Sequence, residues 1–189
     1  MPADFDGDER ADITIFRPSD GTWYRLNSGN GQFVAVQFGA SGDRPLIGDY
    51  DGDAKADITV FRPSDGVWYR LNSTNGQFVA AQFGADGDVP VSGDFDGDGR
   101  SDLAVFRPAN GFWYVARPTG APSQNFDATQ FGASGDIPVA ADYDGDGKTD
   151  IAVYRGGNWL IRESASGSLS QTSFGIAADK PVPAAYLLP

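Results

Sequence analysis

Residues 94–117 read DFDGDGRSDLAVFRPANGFWYVAR, an acidic loop, an alternating apolar run, a turn and an aromatic run in that order. The alternation has a period of two. In the equivalent stretch at 13–17, Ile13, Ile15 and Arg17 face one way, and Thr14 and Phe16 face the other. That is strand patterning, and no sustained 3.6-residue stripe occurs anywhere in the chain.

The stretch is one statement of a phrase made four times. Acidic loops begin at Asp4, Asp49, Asp94 and Asp142, the first three evenly spaced and the last slightly further on. After the loops come ITIFRP, ITVFRP, LAVFRP and IAVYRG, and then SDGTWYRLN (19–27), SDGVWYRLN (64–72), ANGFWYVAR (109–117) and the shorter GGNWLIRE (156–163). A third apolar run ends in Phe-Gly at Phe38, Phe83, Phe131 and Phe174, followed by Asp-x-Pro at Asp43, Asp88, Asp136 and Asp179. Each unit therefore holds about four short strands, the size of one propeller blade. Because one such sheet cannot bury both faces, blades must stack on one another. The expected fold is an all-β propeller in one domain, 1–189, with repeats 4–48, 49–93, 94–141 and 142–185. The third unit carries the longer loop RPTGAPSQNFD at 117–127.

One spacing is stricter than the repeat. The step from the Phe of Phe-Gly to the next acidic loop is the same from Phe38 to Asp49, Phe83 to Asp94 and Phe131 to Asp142. Taken from Phe174, that step reaches Ala185. The tail PVPAAYLLP (181–189) thus overlays PLIGDYDGD but lacks its carboxylates, while the chain starts directly at an acidic loop. The surplus strand at the back matches the strand missing at the front, so 181–189 is expected to close a four-bladed ring. A fragment of a larger propeller, or two chains forming one ring of eight blades, are the competing arrangements.

Composition narrows the function. The net charge is −12 and the pI near 4.2, which opposes phosphate-backbone binding to nucleic acid. No apolar run is long enough to span a membrane, and the start MPADFDGD is no signal peptide. Cysteine and histidine are absent, which excludes disulfides, thiolate sites and the commonest general base. Among the acidic residues only Glu9 and Glu163 are glutamate. Asp suits turns and metal loops, and any metal must be held by oxygen.

Within each loop, aspartates occupy positions 1, 3, 5 and 9, and Gly (7, 52, 97 or 145) occupies position 4. If the chain curls at that glycine, carboxylates 1, 3 and 5 point inward. Arg10, Lys55, Arg100 or Lys148 at position 7 offers a backbone carbonyl, and the aspartate at position 9 closes the site from the next strand. Such a loop suits Ca²⁺, which accepts irregular oxygen cages, better than Mg²⁺, and it is not an EF-hand. An acidic turn needing no metal is the plainer alternative, but Asn or Ser would serve there without repulsion.

The DxDGDxxxD loop, the apolar strand after it, Phe-Gly and the later Pro resemble the FG-GAP/VCBS repeats, the blades of integrin α-chain propellers and of many secreted bacterial proteins. The resemblance covers essentially the whole chain. It implies up to four Ca²⁺ ions, held by Asp4, Asp6, Asp8 and Asp12; Asp49, Asp51, Asp53 and Asp57; Asp94, Asp96, Asp98 and Asp102; and Asp142, Asp144, Asp146 and Asp150. Position 6 is Gly99 or Gly147 in two loops but Glu9 and Ala54 in the others. If that position needs a positive φ, the first two loops are strained.

The repeated Trp23, Trp68, Trp113 and Trp159 are expected to pack between blades rather than serve as sugar platforms. Arg17, Arg62, Arg107 and Arg155 are expected to pair with local carboxylates, and the Asp-x-Pro aspartates to hold turns. Almost every acid belongs to a fourfold position, whereas an active site is a single asymmetric constellation. The unrepeated acids Glu9, Asp127 and Glu163 show no partner in the sequence. The expectation is a non-catalytic, structural or adhesive module of an extracellular or surface protein, bacterial in type. A lectin-like propeller using the clefts between blades and the repeated Trp is the alternative.

Overall fold

The computed structural model describes residues 4–117 and 124–182, and every regular element in them is a β-strand. The first sheet is β1 (Ile13–Arg17), β2 (Thr22–Leu26) and β3 (Phe33–Gln37), in that order. The second is β4 (Arg44–Gly48), β5 (Asp57–Arg62), β6 (Val67–Leu71) and β7 (Phe78–Gln82). The third is β8 (Val89–Gly93), β9 (Asp102–Arg107), β10 (Phe112–Ala116) and β11 (Phe126–Gln130). The fourth is β12 (Ile137–Pro138), β13 (Ile151–Arg155), β14 (Asn158–Arg162) and β15 (Leu169–Ser173). All pairings are antiparallel between sequence neighbours, as short turns dictate. The contacts divide the chain into two compact units that meet at Asp86–Gly87, each holding two sheets.

The sheets are out of phase with the repeats. β4 belongs to repeat 4–48, yet it pairs with β5 of the next repeat, Gly48 opposite Asp57. The acidic loop is therefore the hairpin loop joining the first two strands of one sheet, and its last aspartate already sits in the second strand. Among the described residues the first sheet has three strands where the others have four. The tail read as a closing strand lies beyond Val182, outside the described residues. The part of the third-unit insertion at 118–123 lies outside them too. On either side of it the Arg117 N–H donates to the Asn125 carbonyl, which places the insertion in the β10–β11 connection.

One lock recurs in each sheet. Cross-strand partners Phe16–Trp23, Phe61–Trp68, Phe106–Trp113 and Tyr154–Trp159 bring their rings to 5.3–5.5 Å. Each indole N–H then donates to the carbonyl of the Phe in Phe-Gly, at 2.7–3.0 Å. The glycine that follows is required there. Gly39, Gly84 and Gly132 hold φ of 137–146°, and a Cβ on Gly39 or Gly132 would meet the ring of Phe16 or Phe106. Neighbouring sheets within a unit share a core, as blade stacking demands. Trp23 packs with Ile58 and Val60 of the second sheet, and Trp113 with Ala140 and Val153 of the fourth. Trp23, Trp68 and Trp113 are buried, so these indoles serve packing and present no face to a sugar.

The arginine pairing expected from sequence is present and more specific than foreseen. Arg62, Arg107 and Arg155 make two-pronged bonds to Asp43, Asp88 and Asp136, always at the same separation along the chain. The same Asp43 and Asp136 accept the N–H of Ala40 and Ala133, so one carboxylate fixes a turn and anchors a strand end. Arg17 has no counterpart of that upstream aspartate in the sequence and reaches Asp20 instead, at 3.8 Å.

Candidate metal centre

Each acidic loop is wound by its own aspartates. The carboxylate at position 1 accepts two backbone N–H groups across the curl. Gly7, Gly52, Gly97 and Gly145 donate to one oxygen, and Glu9, Ala54, Gly99 and Gly147 to the other, at 2.6–3.0 Å. The carboxylate at position 5 accepts the N–H of position 7, so Arg10, Lys55, Arg100 and Lys148 all brace the loop through their backbone. Position 6 takes a positive φ in all four loops: 65° at Glu9, 66° at Ala54, 86° at Gly99 and 88° at Gly147. The strain expected in the first two loops is present in the backbone.

This winding draws three carboxylates together. Asp4, Asp6 and Asp8 each bring an oxygen within 4.8 Å of the others, as do Asp49, Asp51 and Asp53, and Asp142, Asp144 and Asp146. In the third loop the trio is Asp94, Asp96 and Asp102, and Asp98 stays outside it, accepting the Arg100 N–H at 2.8 Å. Two unit charges about 5 Å apart repel by roughly 3 kcal/mol at an effective dielectric of ~20. Backbone donors relieve position 1, but Asp6 Oδ1 and Asp51 Oδ1 are buried and without a hydrogen-bond partner. An all-oxygen set with an unsatisfied inward oxygen fits a hard divalent cation.

Three of the position-9 aspartates also hold the loop in shape, while Asp102 joins its trio. Asp12, Asp57 and Asp150 lie outside the close trios, and both oxygens of each are engaged. One accepts the N–H of Phe5, Tyr50 or Tyr143 at position 2, and the other the N–H of Ser28, Ser73 or Ser164. They tie the loop to the β2–β3, β6–β7 and β14–β15 turns. Burial pushes the Asp57 carboxyl up, and burial pushes Asp102 up to about 6. Metal binding favours the deprotonated form of such a group.

The sequence reading missed these serines. Their hydroxyls also donate to position 5, Ser28 to Asp8, Ser73 to Asp53 and Ser164 to Asp146, each at 2.8 Å. The available signal was a serine just past the aromatic run in three units, where the third unit has Pro118. Side chains at position 7 diverge. Arg10 folds back on Asp8 at 2.7 Å and holds its carboxyl below the usual range, whereas Lys55 and Lys148 lie over Gly7 and Gly97 of the preceding loop.

The repeated all-β sheets, each with an acidic loop before or between its strands, define a class, and comparison with known proteins gives it a name. Residues 4–60, 49–105 and 94–153 each match the FG-GAP-like repeat. Together these stretches cover well over half of the chain, which belongs to this repeat family. Among solved structures, the chain resembles a catalytically inactive H270A virginiamycin B lyase from Staphylococcus aureus crystallised with quinupristin. The TM-score is 0.57 at 12% identity, over 88% of this chain and 53% of that one. That likeness concerns the fold alone, and the chain spans about half the length of the lyase. No curated protein sequence matches the chain. No helix among the described residues is long and apolar enough to cross a membrane.

Proposed function

We propose that the chain is a non-catalytic, calcium-stabilised β-propeller module that serves recognition or adhesion in a secreted or surface protein. The observation that carries the calcium reading is the pair of buried, unpartnered oxygens, Asp6 Oδ1 and Asp51 Oδ1, each inside a trio of carboxylates. Such a trio is costly by itself and is neutralised by a hard cation with flexible coordination. Extracellular Ca²⁺ would fill even weak sites. Fourfold repetition of the acids supports a structural role over catalysis.

The uncovered face of the first sheet supports closure by a further blade. Ile13 and Ile15 are 71% and 55% exposed, whereas their counterparts Ile58 and Val60, which pack on the first sheet, are 9% and 1% exposed. In this reading that face meets another blade, within one molecule or between two copies.

Thermal unfolding tests the calcium reading. Ca²⁺ should raise the melting temperature by many degrees, and a chelator should reverse the gain. Identical melts with and without chelator would overturn it.

A further inference from the structure

The four acidic loops carry the same carboxylates in unequal surroundings. In the first two, Asp4 and Asp49 at position 1 are buried, and so is one unpartnered oxygen each of Asp6 and Asp51. In the fourth, Asp142, Asp144 and Asp146 are all exposed, and in the third Asp96 is exposed and Asp94 and Asp102 are half-buried. Water screens the exposed trios. It screens the buried ones less, so their mutual repulsion calls for another source of positive charge.

An arginine supplies that charge in the first two loops, and the matching positions of the other two are apolar. Arg25 in β2 and Arg70 in β6 stand two residues after Trp23 and Trp68, where β10 and β14 have Val115 and Ile161. Each guanidinium lies over the aromatic ring at loop position 2, Arg25 at 4.9 Å from Phe5 and Arg70 at 5.3 Å from Tyr50. Each is fixed there by its Nε–H, which donates to Asn27 at 2.6 Å or to Asn72 at 2.7 Å. These asparagines are also missing from the second unit, where Arg117 and Glu163 stand instead. The charges of Asp12 and Asp6 act on Arg25, and Arg70 Nε lies 4.0 Å from Asp57 Oδ2. Among the described residues neither guanidinium donates a hydrogen bond to its trio, so both act on the trio by charge alone. In the second unit Arg117 is bonded to Asp127, and Arg162 is exposed to solvent. Cations at position 7 occur in all four loops and do not distinguish them.

We propose that Arg25 and Arg70 are built-in counter-cations of the first two loops, holding them in shape when calcium is scarce and holding down their affinity for it. The proposal rests on the calcium reading. A guanidinium attracts the same carboxylates that a divalent cation attracts, so it stabilises the metal-free loop and opposes entry of the ion. The first unit is thereby made tolerant of calcium loss.

The test is thermal unfolding of the full chain, in chelator and in saturating Ca²⁺, with Arg25→Met and Arg70→Met. Methionine keeps an apolar stem over the aromatic ring and removes the charge. Each variant should melt several degrees below the parent in chelator, and level with it or above it in Ca²⁺. Calorimetric titration should show about tenfold tighter binding at one site. Arg25→Lys keeps the charge and should behave as the parent does. Should Arg25→Met not fold in chelator, its recovery in Ca²⁺ supports the proposal, and Arg70→Met repeats the test at the second loop. A fall in melting temperature that is equal in chelator and in Ca²⁺ would assign both arginines to packing and overturn the proposal, as would unchanged affinity. Identical melts of the parent in the two conditions would sink the calcium reading itself, so the two failures are told apart.

Discussion

Ala54 holds a φ of 66° at the loop position where the third and fourth repeats use glycine. A side chain in that left-handed region costs about 1–2 kcal/mol, while glycine costs the unfolded chain about 0.5–1 kcal/mol in entropy. The balance favours Ala54→Gly by up to about 1 kcal/mol. The variant should raise the melting temperature and strengthen calcium binding a few-fold in calorimetric titration; a lower melting temperature would show that the strain is compensated elsewhere. This strain was legible in sequence, because Glu9 and Ala54 stand in a column otherwise filled by Gly99 and Gly147. The position-9 aspartates were half legible. Their carboxylates point at the loop, as expected, but they are occupied by N–H groups from a turn well downstream, at Ser28 for Asp12 and Ser164 for Asp150. A backbone donor has no signature in sequence. The serine hydroxyls that accompany it do, but only once the turn is known to fold back.

At the scale of the element, neighbouring loops are joined. The Ala56 N–H donates to the Asp4 carbonyl, and the Thr149 N–H to the Asp94 carbonyl, both at 2.6 Å. Each donor directly precedes the position-9 aspartate of its own loop, and each acceptor carries the position-1 carboxylate of the loop before it. Ordering one loop therefore fixes the start of its neighbour. Asp6→Asn and Asp51→Asn should each lower the calcium-dependent melting temperature, and together they should lower it by less than the sum. Strict additivity in that double-mutant cycle would mean the two loops bind independently. Strand existence followed from the period-two runs, but the register did not, since nothing in the runs fixes which residues face each other. The phase of the sheets was legible indirectly, because a strand missing before the first acidic loop already implied that the strand ending each repeat pairs with the next one.

For the whole molecule, sequence foresaw the all-β repeat architecture and the stacking of blades through Trp. The exposed Ile13 and Ile15 make a prediction at this scale. An apolar sheet face left uncovered invites packing against another surface. If that face is covered within one molecule, light scattering in Ca²⁺ should give a monomer of about 20.0 kDa. A discrete dimer would assign that face to a second copy.

The offset between sheet and repeat has a consequence for how such a chain can change over time. The second, third and fourth acidic loops each join a strand of one repeat to a strand of the next, so no such repeat can be excised at its own boundaries without leaving a strand unpartnered on each side. A duplication of one full period, begun at any codon, restores every pairing and every loop. Length can therefore change by whole units without loss of pairing, whereas a partial gain fits only in a connection, as at 117–127. The equal steps from Asp4 to Asp49 and from Asp49 to Asp94 are what such a history would leave behind.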